Sequence, residues 1–120
     1  MNLNHLHLHV ADVERSAGFY ERVFGLKRHL WHGGILFMRD DTGMDLALAP
    51  GGRETFPSWF HFGFRPDGMA QVRALHGAAL EAGAPILEPL TEEDHFIFFR
   101  CADPDGYAIE VYWEPDEPAR

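Results

Sequence analysis

Hydrophobic and polar residues alternate within residues 2–11, most regularly from His5 to Val10. This period of two predicts a strand with one buried face of leucine and valine and one polar face. The polar face carries three histidines, His5, His7 and His9. Asp12 then has the character of a helix N-cap, apolar residues recur at helical spacing over residues 13–24, and Gly25 is suited to end the helix.

The same order of elements is predicted twice along the chain. Three short strands follow the first helix, at about 27–31, 35–39 and 44–49, and residues 50–57 form a glycine- and proline-rich connector. Residues 59–65 then alternate as a strand, a helix starts after Pro66-Asp67-Gly68 and ends at Gly83, and its apolar side is predicted from Val72, Leu75 and Leu80. The last three strands are predicted near 84–90, 95–100 and 107–113.

Two local matches support an internal duplication. The turn and strand at residues 40–47 match those at residues 103–110, and His5 and His61 each precede the acidic start of a helix. A repeat of half the chain length is a structural signal. We therefore predict an α+β fold of two paired βαβββ modules, about 1–50 and 58–113, within one domain of residues 1–120. The paired modules would form a curved, barrel-like mixed sheet with the helices outside, which covers the apolar sheet faces.

Composition narrows the class of protein. With 120 residues, of which 46% are hydrophobic, the chain can bury a core without cross-links. Cys101 is the single cysteine and is interpreted as a small buried residue of a protein from the reducing cytoplasm. The net charge of −9 argues against nucleic acid as a partner. No signal-peptide pattern and no apolar stretch of membrane-spanning length are present, so no membrane association is expected.

Eight histidines are many for so ordinary a composition and direct attention to metal chemistry. His5 and His61 occupy matching places in the two modules, and Glu110 lies in the last strand of the second. Two imidazoles and a carboxylate can form a facial triad with open coordination positions for substrate or water. Spacing alone is a weak signal, because histidines at such positions are more often surface or core residues.

Three segments carry a resemblance to a known family. The matching residues are 3–12, Ser16, Phe19-Tyr20 and Phe24-Gly25-Leu26 at the start, Phe60-His61-Phe62-Gly63-Phe64 in the middle, and Asp103-Pro104-Asp105-Gly106 with Ile109-Glu110 near the end. In this order they resemble the vicinal oxygen chelate superfamily. That superfamily includes glyoxalase I, fosfomycin-resistance enzymes, extradiol dioxygenases, methylmalonyl-CoA epimerase and bleomycin-binding proteins.

The resemblance implies one divalent metal ion, Fe, Mn, Ni or Zn, with ligand roles for His5, His61 and Glu110. It also contains a departure. Alignment of the two repeats puts Ala47 opposite Glu110, where glyoxalase I has a fourth ligand. Alanine cannot ligate, and Asp45 could do so only with a shifted register, so three protein ligands are expected and water or Asp45 is left to complete the coordination.

Further residues are candidates for contact with substrate. They are His7 and Tyr112 as catalytic groups, and Arg100, Trp31 and His95 as substrate-binding groups. Each also has a plain structural interpretation: a hydrogen-bonded histidine, core packing for the aromatic rings, and a salt bridge for Arg100. Phe37 and Trp59 have the same two interpretations, whereas His29, His32 and His76 are expected at the surface.

The resemblance implies a glyoxalase- or dioxygenase-like metalloenzyme, acting as a lyase, isomerase, transferase or dioxygenase on a small molecule that binds through adjacent oxygens. A fosfomycin-type thiol transferase is less favoured, because the acidic segment 88–94 would repel a phosphonate. A non-catalytic drug- or metabolite-binding protein of the bleomycin-resistance type is the alternative from another class. Small relatives often dimerise, so we expect a homodimer with shared sites, each taking His5 from one chain and His61 with Glu110 from the other.

Overall fold

The computed structural model describes residues 1–51 and 55–115. It divides into two compact units, Met1–Phe56 and Pro57–Arg120. The first unit contains β1 (His5–Val10), α1 (Val13–Phe24), β2 (Lys27–His32), β3 (Ile35–Arg39) and β4 (Asp45–Pro50). The second unit contains β5 (His61–Phe64), α2 (Met69–Glu81), β6 (Ile86–Glu93), β7 (Phe96–Ala102) and β8 (Ala108–Trp113).

Each unit has one four-stranded mixed sheet and one helix, so the predicted α+β class and the two βαβββ modules are confirmed. The strand orders are β1-β4-β3-β2 and β5-β8-β7-β6. In both sheets the first strand is parallel to the last and the other pairs are antiparallel. The sheets are curved, as predicted, but they are not closed into a barrel, since the described strands form two separate sheets of four. Residues 52–54 of the predicted connector lie outside the described residues.

The first unit forms as its sequence pattern predicts. Asp12 caps α1 by accepting a hydrogen bond from the Arg15 backbone N–H at 3.1 Å. Gly25 ends the helix in the left-handed conformation, with φ 67°. Leu8 and Val10 are buried, whereas the histidines that alternate with them are exposed. One face of this sheet therefore belongs to the core, and the other carries the polar groups.

The core of the second unit lies between α2 and the alternate residues of β7 and β8. Its fully buried residues include Val72 and Ala79 of α2 and Ile97, Phe99, Cys101, Ile109 and Val111 of the strands. The predicted apolar side of α2 is wrong at Leu80, which is 54% exposed. Ala79 stands two full turns beyond Val72 and shares its face, whereas Leu80 is rotated about 100° further. His76, expected at the surface, is half-buried, and its ring centroid lies 5.0 Å from that of Phe99.

The same turn precedes the last strand of each unit. Asp40 Oδ1 accepts backbone hydrogen bonds from Thr42 and Met44, and Asp103 Oδ1 accepts them from Asp105 and Tyr107. Both turns end in a glycine with positive φ, 88° in one unit and 89° in the other. The internal duplication predicted from the sequence is thus present in the backbone and fixes the register of β4 and β8.

Of the described residues, neither α1 nor α2 is long and apolar enough to cross a membrane. Cys101 is fully buried, as expected. Burial, followed by the charge of Asp103, raises the pKa of its thiol to about 11. Because the thiolate is the nucleophilic form, a buried thiol with a raised pKa is suited to packing rather than to nucleophilic chemistry.

Candidate functional site

The face of the first sheet that points away from its buried residues carries His5, His7 and His9 in a row. All three are exposed, and the rings of His7 and His9 meet edge-on with centroids 5.2 Å apart. Asn4 Oδ1 lies 3.1 Å from Nδ1 of His5. With the amide oxygen on this side, Nδ1 of His5 is the donor of the contact, and in that tautomer Nε2 is the nitrogen that offers a lone pair.

Asp45 is the register partner of His5 on the neighbouring parallel strand. It is not free to ligate, because Arg39 holds both carboxylate oxygens: Nε lies 2.8 Å from Oδ1 and Nη2 lies 3.3 Å from Oδ2. The hydrogen bonds from Arg39 lower the pKa of Asp45 against the opposing effect of burial, with further contributions from the charges of Arg39, His29 and His5. At neutral pH, Asp45 is therefore an ionised carboxylate that is paired with Arg39.

Removal of the guanidinium should return the pKa of Asp45 towards its ordinary value of 3.8. A lowered pKa stabilises the fold at pH above the unfolded-state pKa, and this stabilisation is lost as the pH falls through the folded-state pKa. We therefore expect the Arg39→Gln variant to lose less stability than the native protein between about pH 5 and pH 2. Carboxyl titration by NMR checks this: the Asp45 resonance should titrate at higher pH in Arg39→Gln and be unchanged in Arg73→Gln, which disrupts the Arg73–Glu92 pair instead. Equal titration in all three proteins would contradict it.

A cavity of about 260 Å³ opens on the same unit. Its lining consists of His29, Leu30, His32, Phe37, Arg39 and Asp45. His29 and His32 were predicted only to lie at the surface, and both are exposed. That they also border a cavity was not predicted. An irregularity in the pairing of β2 and β3 falls between Arg28 and Leu30 and leaves His29 out of register, which no local sequence pattern indicates. Trp31 is 51% exposed and is not part of this lining.

His61 opens the second sheet at the register position that His5 holds in the first. His5 pairs with the second residue after Gly43, and His61 pairs with Ala108, the second after Gly106. The Trp59 carbonyl oxygen lies 3.1 Å from Nδ1 of His61. A carbonyl can only accept, so Nδ1 donates and Nε2 again carries the lone pair. This is the tautomer in which histidines commonly ligate metals, with the second nitrogen bonded to an oxygen.

Gly63 lies beside Glu110 in the pairing of β5 with β8, two residues from His61 on the same side of the strand. A Cβ atom at this glycine would lie 2.6 Å from the Glu110 carbonyl oxygen, which is closer than real Cβ contacts. The absence of a side chain at Gly63 lets the two strands approach and leaves the face between His61 and Glu110 uncovered. Ala47, the counterpart of Glu110 in the first unit, pairs with His7 and is buried.

Glu110 is half-buried and already has a cationic partner. Arg100 Nε lies 3.1 Å from Glu110 Oε1, and the two residues are cross-strand partners on β7 and β8. Their side chains are 33% and 23% exposed. Arg100 was expected either to bind substrate or to form a salt bridge, and the structure shows its ion pair with Glu110. The contact uses one carboxylate oxygen and leaves Oε2 as a donor atom for a cation.

Of the other predicted residues of the second unit, Tyr112 lies in the sheet and His95 lies in a turn. Tyr112 is half-buried on β8 and pairs with Phe98 of β7, on the same face as Glu110. His95 was predicted within a strand, but it lies exposed in the turn between β6 and β7. The strand begins one residue later, at Phe96.

The described residues, 1–51 and 55–115, contain no group of three or more His, Cys, Asp or Glu side chains that could hold a metal ion. Taken one by one, the predicted ligands are donor types that suit a divalent transition metal. Each histidine has Nδ1 in contact with an oxygen, which leaves Nε2 as its candidate ligand atom, and Glu110 retains one carboxylate oxygen. The support for a metal site therefore comes from the hydrogen bonds of each candidate ligand considered separately.

Comparison with known proteins agrees with the fold. The profile of the Glyoxalase/Bleomycin resistance protein/Dioxygenase superfamily matches residues 2–111. A Bacillus cereus protein described as a "possible Glyoxalase" is 34% identical, with a TM-score of 0.79 over 92% of this chain and 97% of that one. A glyoxalase-related enzyme from Fulvimarina pelagi is 25% identical, with a TM-score of 0.78 over 99% and 92%.

A further relative is the uncharacterized protein PA2024 of Pseudomonas aeruginosa. It is 29% identical over 97% of this chain and 91% of its own length. The family match thus spans almost the whole chain and covers most of both repeated units. This chain belongs to the Glyoxalase/Bleomycin resistance protein/Dioxygenase superfamily, the vicinal oxygen chelate proteins.

Proposed function

We propose that this protein is a glyoxalase- or dioxygenase-like metalloenzyme that binds a small substrate through adjacent oxygens at one divalent metal. His5, His61 and Glu110 would hold the ion. The observation that carries the proposal is the matched contact of the two histidines: each has Nδ1 at 3.1 Å from an oxygen, which makes Nε2 the candidate ligand atom of both. They also occupy equivalent register positions in the two units.

Three protein ligands leave coordination positions for a substrate that offers two oxygens. When bound, a divalent ion supplies Lewis-acid chemistry, since it polarises an oxygen and stabilises the negative charge that develops there. We propose Fe, Mn, Ni or Zn for this position. Water rather than Asp45 would complete the coordination, because Arg39 already binds both oxygens of that carboxylate.

The other residues of the two sheet faces would bind and orient the substrate. His7 is exposed two residues from His5 and on the same side of β1, so we assign it the role of proton donor or acceptor. Tyr112 shares a face with Glu110 and would orient the substrate with its hydroxyl group. Arg100 would bind an anionic group, and the exposed Trp31 and His95 would contact the outer part of the substrate.

We also propose a homodimer with shared sites. Superfamily members are often dimers. Each site would take His5 from one chain and His61 with Glu110 from the other. The buried, unreactive Cys101 suits a reducing cytoplasm, where we place the protein.

One observation favours a second candidate, a non-catalytic protein that sequesters a drug or metabolite. The pairing of Glu110 with Arg100 would persist in such a protein and stabilise a ligand-binding face without any metal. A positively charged partner within 3.1 Å also weakens the attraction of a carboxylate for a cation.

Turnover by metal-loaded protein separates the two candidates. We expect the loaded protein to convert one of four substrate types: hemithioacetals, catechols, fosfomycin with a thiol, or acyl-CoA epimers. The Glu110→Ala variant should lose this activity while the Leu80→Ala variant, altered at the exposed side of α2, keeps it. Ligand binding without turnover, and with equal affinity before and after metal removal, would instead support the sequestering protein.

A further inference from the structure

The two units carry similar arginine–carboxylate pairs that differ in one important respect. Arg39 binds both oxygens of Asp45 through two nitrogens, Nε and Nη2. Both carboxylate oxygens and this edge of the guanidinium are therefore occupied. Arg100 binds only Oε1 of Glu110, and only through Nε. The terminal amino groups Nη1 and Nη2 of Arg100 are therefore left for a second acceptor, and they are the pair that matches a carboxylate in a two-point contact.

The surroundings of Arg100 indicate which acceptor fits. Phe98 and Tyr112 form the adjacent cross-strand pair on the same face, and both rings are half-buried. A flat ring can stack on such a surface while its carboxylate reaches the neighbouring guanidinium. The face therefore combines an aromatic surface with a cation at one end.

Charge decides when this cation is accessible to a ligand. Glu88 is the register partner of Arg100 on β6 and is exposed, so it adds a second negative charge on the strand beside Arg100. Arg100, Glu88 and Glu110 together carry a net charge of −1, which opposes the entry of an anion. Neutralisation of Glu110, by substitution or by a bound cation, removes both this repulsion and the competition for Nε.

We propose that Arg100 is an exchangeable counter-ion, paired with Glu110 in the empty protein and with the carboxylate of a flat aromatic ligand once Glu110 is neutralised. The site thereby selects aromatic carboxylates and couples their binding to that of a cation at Glu110. The coupling to a metal rests on the proposed function. The exchange itself follows from the ion pair and its neighbours.

The exchange is tested on chelator-treated, dialysed protein with benzoate as the probe and benzyl alcohol as its uncharged counterpart. Binding is measured by calorimetry and by NMR shifts of β7 and β8. The native protein should bind benzoate weakly and Glu110→Gln about tenfold more tightly, a factor that corresponds to about 1.4 kcal/mol. Arg100→Gln and the double variant should not bind benzoate, and benzyl alcohol should not distinguish the four proteins.

Glu88→Gln is the matched control, because it removes the same charge beside Arg100 without breaking the Arg100–Glu110 bond. Its benzoate affinity should rise by less than half of the factor seen with Glu110→Gln. The proposal is overturned if Glu110→Gln binds benzoate no better than Glu88→Gln or the native protein, or if Arg100→Gln binds as tightly as Glu110→Gln. Circular dichroism and melting of every variant establish that each is folded.

A second arm separates this inference from the proposed function. Addition of Mn(II) to native protein should tighten benzoate binding, with no such effect in Arg100→Gln. If native protein takes up no metal, the metalloenzyme proposal fails, yet the metal-free comparison of Glu110→Gln with Arg100→Gln still decides the exchange. If metal binds but benzoate affinity does not change, the metal site stands and the coupling is wrong.

Discussion

Substitution of His61 by alanine should abolish the thermal stabilisation that a divalent metal gives to the native protein. Saturation at about 100 times the dissociation constant contributes about 2.7 kcal/mol. For a domain of this size, that corresponds to a rise in melting temperature of roughly 10 °C. Loss of one of three ligands should weaken binding at least about 100-fold, more than the loss of an outer hydrogen-bond partner does. His5→Ala and Glu110→Ala should behave alike, as measured by melting curves with and without Mn(II), Ni(II) or Zn(II).

His32→Ala provides the matched control, since this histidine is exposed on β2 and holds no proposed ligand role. It should keep the full metal-dependent shift. If His61→Ala responds to metal as the native protein does, His61 is not a ligand. Under the shared-site arrangement, a mixture of His5→Ala and Glu110→Ala chains should recover part of the shift, because one of the two sites in a mixed dimer is intact.

Substitution of Gly63 by alanine should destabilise the protein by about 1–3 kcal/mol, the usual cost of forcing an extra group into a packed position. The new Cβ would lie 2.6 Å from the Glu110 carbonyl oxygen, and a backbone atom cannot turn away as a flexible side chain can. Strands β5 and β8 would have to separate, and His61 would move away from Glu110. The variant should therefore lose metal binding together with stability.

Gly77→Ala is the control for this experiment. It is the same change in the interior of α2, and nothing lies within 4 Å of the added Cβ. Alanine in a helix interior should stabilise the protein by about 0.5–1 kcal/mol. Urea denaturation should thus give opposite signs for the two variants. A Gly63→Ala protein as stable as the native one would show that the close approach of β5 and β8 is not a constraint.

Most of the secondary structure was predictable because local patterns determine it. Alternation of apolar and polar residues defined β1, and Asp12 and Gly25 marked the ends of α1. The repeated turns at Asp40 and Asp103 were predictable for the same reason, since each aspartate bonds to backbone amides only two and four residues ahead. Interactions that close within a few residues are readable without knowledge of the tertiary structure.

The errors arose where a residue's partner is distant in sequence. Leu80 was predicted to face the core, but the packing face of α2 is the one that carries Val72 and Ala79. The salt bridge of Arg100, one of its two interpretations, could not be assigned a partner from the sequence, because its pairing with Glu110 depends on the register of β7 against β8. The cavity beside His29 was not predicted, because residues of three strands, β2, β3 and β4, line it together. Such features follow from strand register, and local composition does not encode them.

The candidate metal ligands lie between these cases. Equivalence of His5 and His61 was predictable from the duplication, and the register of β1 and β5 agrees with it. The hydrogen bonds that fix the histidine tautomers were not predictable, because they depend on where Asn4 and the Trp59 carbonyl come to lie. The ligand roles of His5, His61 and Glu110 therefore remain a prediction supported by the state of each donor.

Elemental analysis of the purified protein, reloaded with metal after chelation and then dialysed, tests this prediction most directly. We expect one divalent ion per chain in the native protein, and almost none in His61→Ala or Glu110→Ala. A native protein that retains no ion, or variants that retain as much as the native protein, would contradict it.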